Sequence, residues 1–127
     1  MLFRSRPITT NQIEIHVLLQ NRPAVDLARL HGISTTAYCP LARGALTGHP
    51  VLTGVASRCG ATVEQVALAF LMAEGHVVIP SSSNASRMAL NFAAKDVLLS
   101  TEDVLAIRKL DEGRRLVNGA WCPVWDT

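Results

Sequence analysis

Short β-branched runs alternate along this chain with segments of helical period, and that alternation restricts the fold more than any other feature. Residues 9–15 (TTNQIEI), 33–38 (ISTTAY) and 76–79 (HVVI) are rich in Ile, Thr and Val and bounded by turn residues, which predicts three strands. Between the first two, Pro23 opens and Gly32 closes a stretch in which Val25, Leu27, Ala28 and Leu30 recur at helical spacing, predicting a helix over residues 22–31. A second helix is expected over residues 51–59, stopped by Gly60. Thr62 and Gln65 then offer a capping box, so a third helix should run from there to Glu74. Its Val66, Ala67, Phe70, Leu71 and Ala73 cover much of the circumference, which calls for burial against more than one neighbour. Residues 84–93 and 101–110 read as two further helices, the last with Val104, Ile107 and Leu110 on one face. Met72 and Met88 are expected to fill core.

Strands separated by helices imply right-handed parallel βαβ units. Three strands make a small sheet whose edges expose unpaired backbone groups, and closing the sheet into a barrel would remove those edges. An eight-unit barrel takes about 250 residues. This chain has 127, so length and pattern together suggest half of a larger closed unit.

Composition excludes several function classes. With 49% apolar residues the chain is expected to fold, and a net charge of +2 leaves no polybasic field for nucleic acid or an anionic membrane. The longest apolar run, residues 66–73, is closed by Glu74 and falls short of the roughly 20 residues a membrane span needs. Cys39, Cys59 and Cys122 cannot all pair and fit neither a zinc knuckle nor a CxxC motif, so reduced thiols, no bound metal and a cytoplasmic setting are expected.

Three local motifs carry more specific information. They are Asn11-Gln12-Ile13-Glu14, Ala37-Tyr38-Cys39-Pro40-Leu41-Ala42-Arg43-Gly44, and Val78-Ile79-Pro80-Ser81-Ser82-Ser83-Asn84 followed by Arg87 and Asn91. In order and spacing they resemble the NQ-x-E, AYSPL-x-x-G and IPKS-x-N-x-x-R-x-x-EN blocks of the aldo/keto reductase family. Val66-Ala67-Leu68 resembles the family's QVAL helix, and Arg115-Leu116-Val117 with Pro123-Val124-Trp125-Asp126 is similar to its C-terminal tail. The flavour is that of the bacterial 2,5-diketo-gluconate reductase group.

The resemblance implies an α/β fold, a partial (β/α)8 TIM barrel, in which residues 8–127 form the C-terminal half and residues 1–7 a non-native or unassigned stub. It implies NADPH as coenzyme and a small-molecule carbonyl substrate, an aldehyde or ketone, with keto-sugar acids among the candidates. By the same resemblance Asn11, Gln12, Tyr38, Cys39, Leu41, Ser81, Ser82, Ser83, Arg87 and Asn91 bind the coenzyme. Tyr38 would stack on the nicotinamide and Gln12 bond its carboxamide, while Arg87 would take the adenosine 2′-phosphate and Asn91 the adenine. Physical chemistry agrees in kind: hydroxyls and the first N–H groups of a helix favour an anion, and a guanidinium adds a bidentate charge-assisted contact. Taken alone, the serines read equally well as a helix cap and Tyr38 as a core ring. Ser81 stands where most of the family has a phosphate-binding Lys, which loosens the preference for NADPH over NADH.

The chemistry of the family needs a Tyr acid, a Lys, an Asp and a His, all from the other half of the barrel. Here Tyr38 is the only tyrosine and Lys95 and Lys109 the only lysines, so no catalytic residue is assigned. His16, His31, His49 and His76 read as surface or hydrogen-bonded histidines. Trp121 and Trp125 are candidates for lining the carbonyl pocket, with docking on the barrel exterior an equal reading for Trp125, and Arg114-Arg115 reads as a solvated pair, one of which could salt-bridge the barrel. Leu2-Phe3-Arg4-Ser5 is what a common sequencing-adapter end would encode, so a truncated reading of a longer gene is expected. Two functions follow: a reductase represented by its coenzyme-binding half, inactive alone, or a non-enzymatic nucleotide-binding half-barrel that pairs with another chain. Exposed barrel edges predict self-association of the isolated chain.

Overall fold

The structure, a computed structural model, describes residues 7–125; the expectations for residues 1–6 and for Asp126 lie outside the described residues. Three strands alternate with helices: β1 (Thr10–Glu14), α1 (Arg22–Leu30), β2 (Ser34–Tyr38), α2 (Pro50–Cys59), α3 (Val63–Ala73), β3 (Val77–Val78), α4 (Ala85–Ala93) and α5 (Thr101–Arg108). The sheet is parallel in the order β1-β2-β3, with Gln12 opposite Thr36 and Glu14 opposite Tyr38, and it is not closed.

Because side chains alternate across a strand, the register divides the sheet into two unlike faces. Ile13, Ile15, Thr35, Ala37 and Val78 point to the helices, where they join Val25, Leu52, Val55, Val66, Phe70, Leu71 and Ile107 in one core. Thr10, Gln12, Glu14, Ser34, Thr36 and Tyr38 share the opposite face, against which no helix packs among the described residues. Parallel sheets ordinarily bury both faces. A polar face on a parallel sheet is what the inner wall of a barrel becomes when the facing strands are absent.

Helix α3 organises the helical layer. Its Thr62 hydroxyl accepts the Gln65 N–H at 3.2 Å while the Gln65 amide oxygen accepts the Thr62 N–H at 2.9 Å, the reciprocal cap that the sequence announced. Gln65 through Leu71 are all buried, and the helix meets α2, α4, α5 and β3. At its far end Glu74, nearly buried, is clamped by Arg108 at 2.7 Å and Arg22 at 3.2 Å. Burial pushes the Glu74 carboxyl up, but the Arg108 and Arg22 contacts outweigh it and hold the group below the ordinary carboxylate range.

Three expectations need correction. Met88 is 54% exposed rather than core, because the face of α4 that carries it meets no neighbour among the described residues. Of the four apolar residues expected to bury α1, only Val25 and Ala28 do so; Leu27 and Leu30 are exposed. The third strand is also shorter than the HVVI run, because His76 turns aside to bond Thr35 and Ile79 reaches Ala37 only through a long 3.4 Å bond before Pro80 ends the donors.

Candidate functional site

Parallel strands deliver the loops after their C-terminal ends to one side of the sheet, and in barrels of this topology that side carries the chemistry. Here the loop after β2 and the loop after β3 meet the first turn of α3. Between them is a cavity of about 410 Å³ lined by Leu41, Ser81, Ser82, Arg87 and Asn91, five of the ten residues expected to bind the coenzyme. Sequence reasoning missed Gly44, Leu46, Thr47, Thr62, Glu64 and Leu90, which complete the wall. Only proximity in the fold could reveal them, although the cap signature at Thr62 marks where α3 begins.

The loop after Tyr38 is held in an uncommon backbone shape. Cys39, Ala42 and Arg43 have φ of 50°, 49° and 49°, three of the four non-glycine residues in the left-handed region among those described. Each such residue costs about 1–3 kcal/mol unless its surroundings enforce it, and such residues gather at ligand sites. The shape turns Leu41 toward the cavity wall while Ala42 is sealed in the core.

At the other wall, α4 begins with Asn84, whose side chain accepts the Arg87 N–H at 3.0 Å. The Ser82 hydroxyl accepts the Asn84 N–H at 3.1 Å. Part of the expected anion cradle is therefore spent on the cap and its turn. What stays available is the Arg87 guanidinium, which has no ion pair among the described residues, together with the Ser81 hydroxyl and the Asn91 amide one turn further along α4. Apolar Leu41 and Leu46 from the loop after β2, and Leu90 from α4 itself, line the same cavity. A cation and hydroxyls beside apolar side chains suit a phosphorylated, flat heterocycle, and the volume fits a ligand of that size. Glu64 adds a carboxylate to the same wall.

Gln12 and Tyr38 stand apart from this cavity, on the polar face of the sheet. Gln12 is exposed and Tyr38 half-buried. Burial, then the nearby Glu14 carboxylate, raises the Tyr38 phenol above its ordinary range, so it stays protonated at neutral pH. Asn11 is exposed and points to the other face of β1 from Gln12. Cys39 is half-buried and Ser83 exposed, and neither lines the cavity.

His16 is fully buried beside Glu14, 3.0 Å from its carboxylate, and His76 bonds Thr35 at 2.6 Å. Arg115, read as solvated, stacks on Trp125 with its guanidinium 4.0 Å from the ring centre. Among the described residues no group of His, Cys, Asp or Glu could hold a metal ion, and no helix is long and apolar enough to cross a membrane.

Residues 4–112 match the sequence model of the aldo/keto reductase family. A methylglyoxal reductase, DkgB of Yersinia pestis, is 43% identical over 120 residues, which are 94% of this chain and 45% of that protein. A crystal structure assigned as a 2,5-diketo-D-gluconic acid reductase B superposes with a TM-score of 0.88 at 34% identity, covering 97% of this chain and 45% of that one. A mutant of Gox0644 in complex with NADPH gives a TM-score of 0.81 at 30% identity, over 84% of this chain and 40% of the other. The chain thus spans less than half the length of the curated relatives it matches, 45% of the DkgB proteins and 38% of a mycobacterial aldo-keto reductase, and its open sheet is part of a (β/α)8 barrel. It belongs to the aldo/keto reductase family.

Proposed function

We propose that this chain is the C-terminal, coenzyme-holding half of an NADPH-dependent aldo/keto reductase. The observation that carries the reading is the convergence of Ser81, Arg87 and Asn91, drawn from one strand end and one helix, on a single cavity with an unpaired guanidinium. In this reading Arg87 and Ser81 hold the adenosine 2′-phosphate, Asn91 meets the adenine, Leu41 closes the wall, and Tyr38 and Gln12 present the nicotinamide from the polar face of the sheet. Bound NADPH would supply the hydride for a carbonyl carbon. DkgB is described as a methylglyoxal reductase, so small aldehydes and ketones are the substrate class we assign. Free thiols at Cys39, Cys59 and Cys122 suit a cytoplasmic setting.

The proton donor is assigned to sequence outside these 127 residues, because Tyr38 is their only tyrosine and faces the coenzyme in this reading. Mixing the 127-residue chain with NADPH and methylglyoxal tests both parts. The coenzyme's fluorescence should change on binding while its absorbance shows no oxidation; turnover by this chain alone would overturn the placement of the acid. The exposed Thr10, Gln12 and Ser34 end of the polar face and the unpaired edge of β1 support self-association of the isolated chain. A monodisperse monomer in light scattering would count against that.

A further inference from the structure

Glu14 is the last residue of β1, shares the polar face with Gln12 two residues earlier, and is paired in register with Tyr38. It should be as exposed as Gln12, yet its side chain has no exposed surface. The cover is the C-terminal tail. Oε1 of Glu14 accepts the Leu116 N–H at 2.7 Å and Oε2 accepts the Val117 N–H at 3.0 Å, contacts spanning more than 100 residues of sequence. His16 completes the group from beneath, its Nε2–H donating to Oε1 at 3.0 Å.

The tail has few other holds. Its root is tied where the Glu112 and Arg114 N–H groups both donate to the Leu18 carbonyl, at 3.1 and 3.0 Å. Beyond Val117 its bonds are internal: Trp125 donates to Asn118 at 3.0 Å, the Cys122 N–H to Gly119 at 2.9 Å, and Arg115 stacks on Trp125. Among the described residues the one hydrogen bond that leaves residues 118–125 runs from the Cys122 thiol to the Val117 carbonyl at 3.8 Å, and none reaches the chain before Val117. Glu14 is therefore the outermost anchor of a self-stapled loop, and it sets that loop down beside Tyr38. A buried carboxylate is costly unless its lone pairs are met, and here two backbone donors and an imidazole meet them.

We propose that Glu14 is a positioning residue for the coenzyme: by latching Leu116 and Val117 it holds the tail against the Tyr38 end of the polar face, where it walls the nicotinamide half and not the adenosine half. This rests on the coenzyme reading above. The latch grips only the ionised carboxylate, because a protonated oxygen turns one acceptor into a donor facing an N–H.

The test uses the full chain, with two ligands and two variants. NADP+ carries the nicotinamide half; adenosine 2′,5′-bisphosphate lacks it. Glu14→Ala should speed amide hydrogen exchange at Leu116 and Val117 at least tenfold, leave α3 amides unchanged, and weaken NADP+ severalfold while changing the bisphosphate less than twofold. Val117→Pro removes one donor from the tail side without touching the buried strand, and should give the same split should Glu14→Ala fail to fold. Both tryptophans lie in the tail, so their emission reports its release directly. Equal losses for the two ligands, or unchanged exchange at Leu116 and Val117, would overturn the proposal. A wild-type chain that binds neither ligand would overturn the coenzyme reading itself, and the nicotinamide role with it; the exchange data would still judge the latch.

Discussion

Arg87 is the only cation lining the cavity, and no carboxylate among the described residues neutralises it. A charge-assisted hydrogen bond contributes about 1.5–3 kcal/mol, so Arg87→Ala should weaken NADP+ by about 10- to 100-fold and NAD+, which lacks the 2′-phosphate, by less than threefold. Calorimetric titration of both coenzymes checks this; equal losses would mean that Arg87 reads something other than that phosphate. Ser81, in place of a lysine, contributes a dipole and no charge, so the discrimination should rest on Arg87. These residues were legible because their motif is local: strand, serines, cap and arginine lie within one short stretch of sequence. Glu64 and Thr47 were not, because they reach the same wall from elsewhere in the chain. Met88 misled for a related reason: its apolar side chain announces a buried face, but burial depends on a neighbour that its own helix does not specify.

Among the elements, α3 shows how local and tertiary signals reinforce each other. Its cap, its Gln65 and its apolar run were all readable, and the fold uses each: the cap fixes its start at the cavity, and Gln65 also donates to the Leu90 carbonyl at 3.1 Å, tying α4 to α3. Replacing Thr62 with Ala should cost about 1 kcal/mol of stability, visible as a lower urea midpoint. Because the cap residue lines the cavity, coenzyme affinity should fall as well. A variant with an unchanged midpoint would show that tertiary contacts alone position this helix end. The strands were legible in type and order but not in length. β3 keeps only Val77–Val78, since His76 is drawn to Thr35 and Pro80 has no N–H to offer. The tail was recognisable by its resemblance, yet its anchor at Glu14 was not, since the contact joins a strand to residues more than 100 positions away.

Across the whole molecule, two buried histidines set the pH response. Burial, only partly offset by Glu14, holds His16 below the ordinary histidine range; burial, then Arg29, does the same for His76. The Nδ1 atom of His16 has no partner, so protonating it would bury an unmet donor. Well above the ordinary histidine value of about 6.5 both histidines are neutral folded or unfolded. As pH falls below that, the unfolded chain takes up more protons and stability declines. Glu14 extends the loss further: burial raises its carboxyl, but the Leu116 and Val117 N–H groups and His16 outweigh that and hold it low, so its contribution fades only below the ordinary carboxylate value. Urea midpoints should therefore be level from pH 8 to 7 and fall steadily toward pH 5. A flat profile would mean that the histidines are solvated. The most direct test of the coenzyme-holding role is residue-resolved NMR of the full chain during an NADP+ titration. Saturable shifts are predicted at Leu41, Ser81, Arg87 and Asn91 together with Gln12 and Tyr38, at one common affinity. Shifts confined to other surfaces, or none at all, would contradict it.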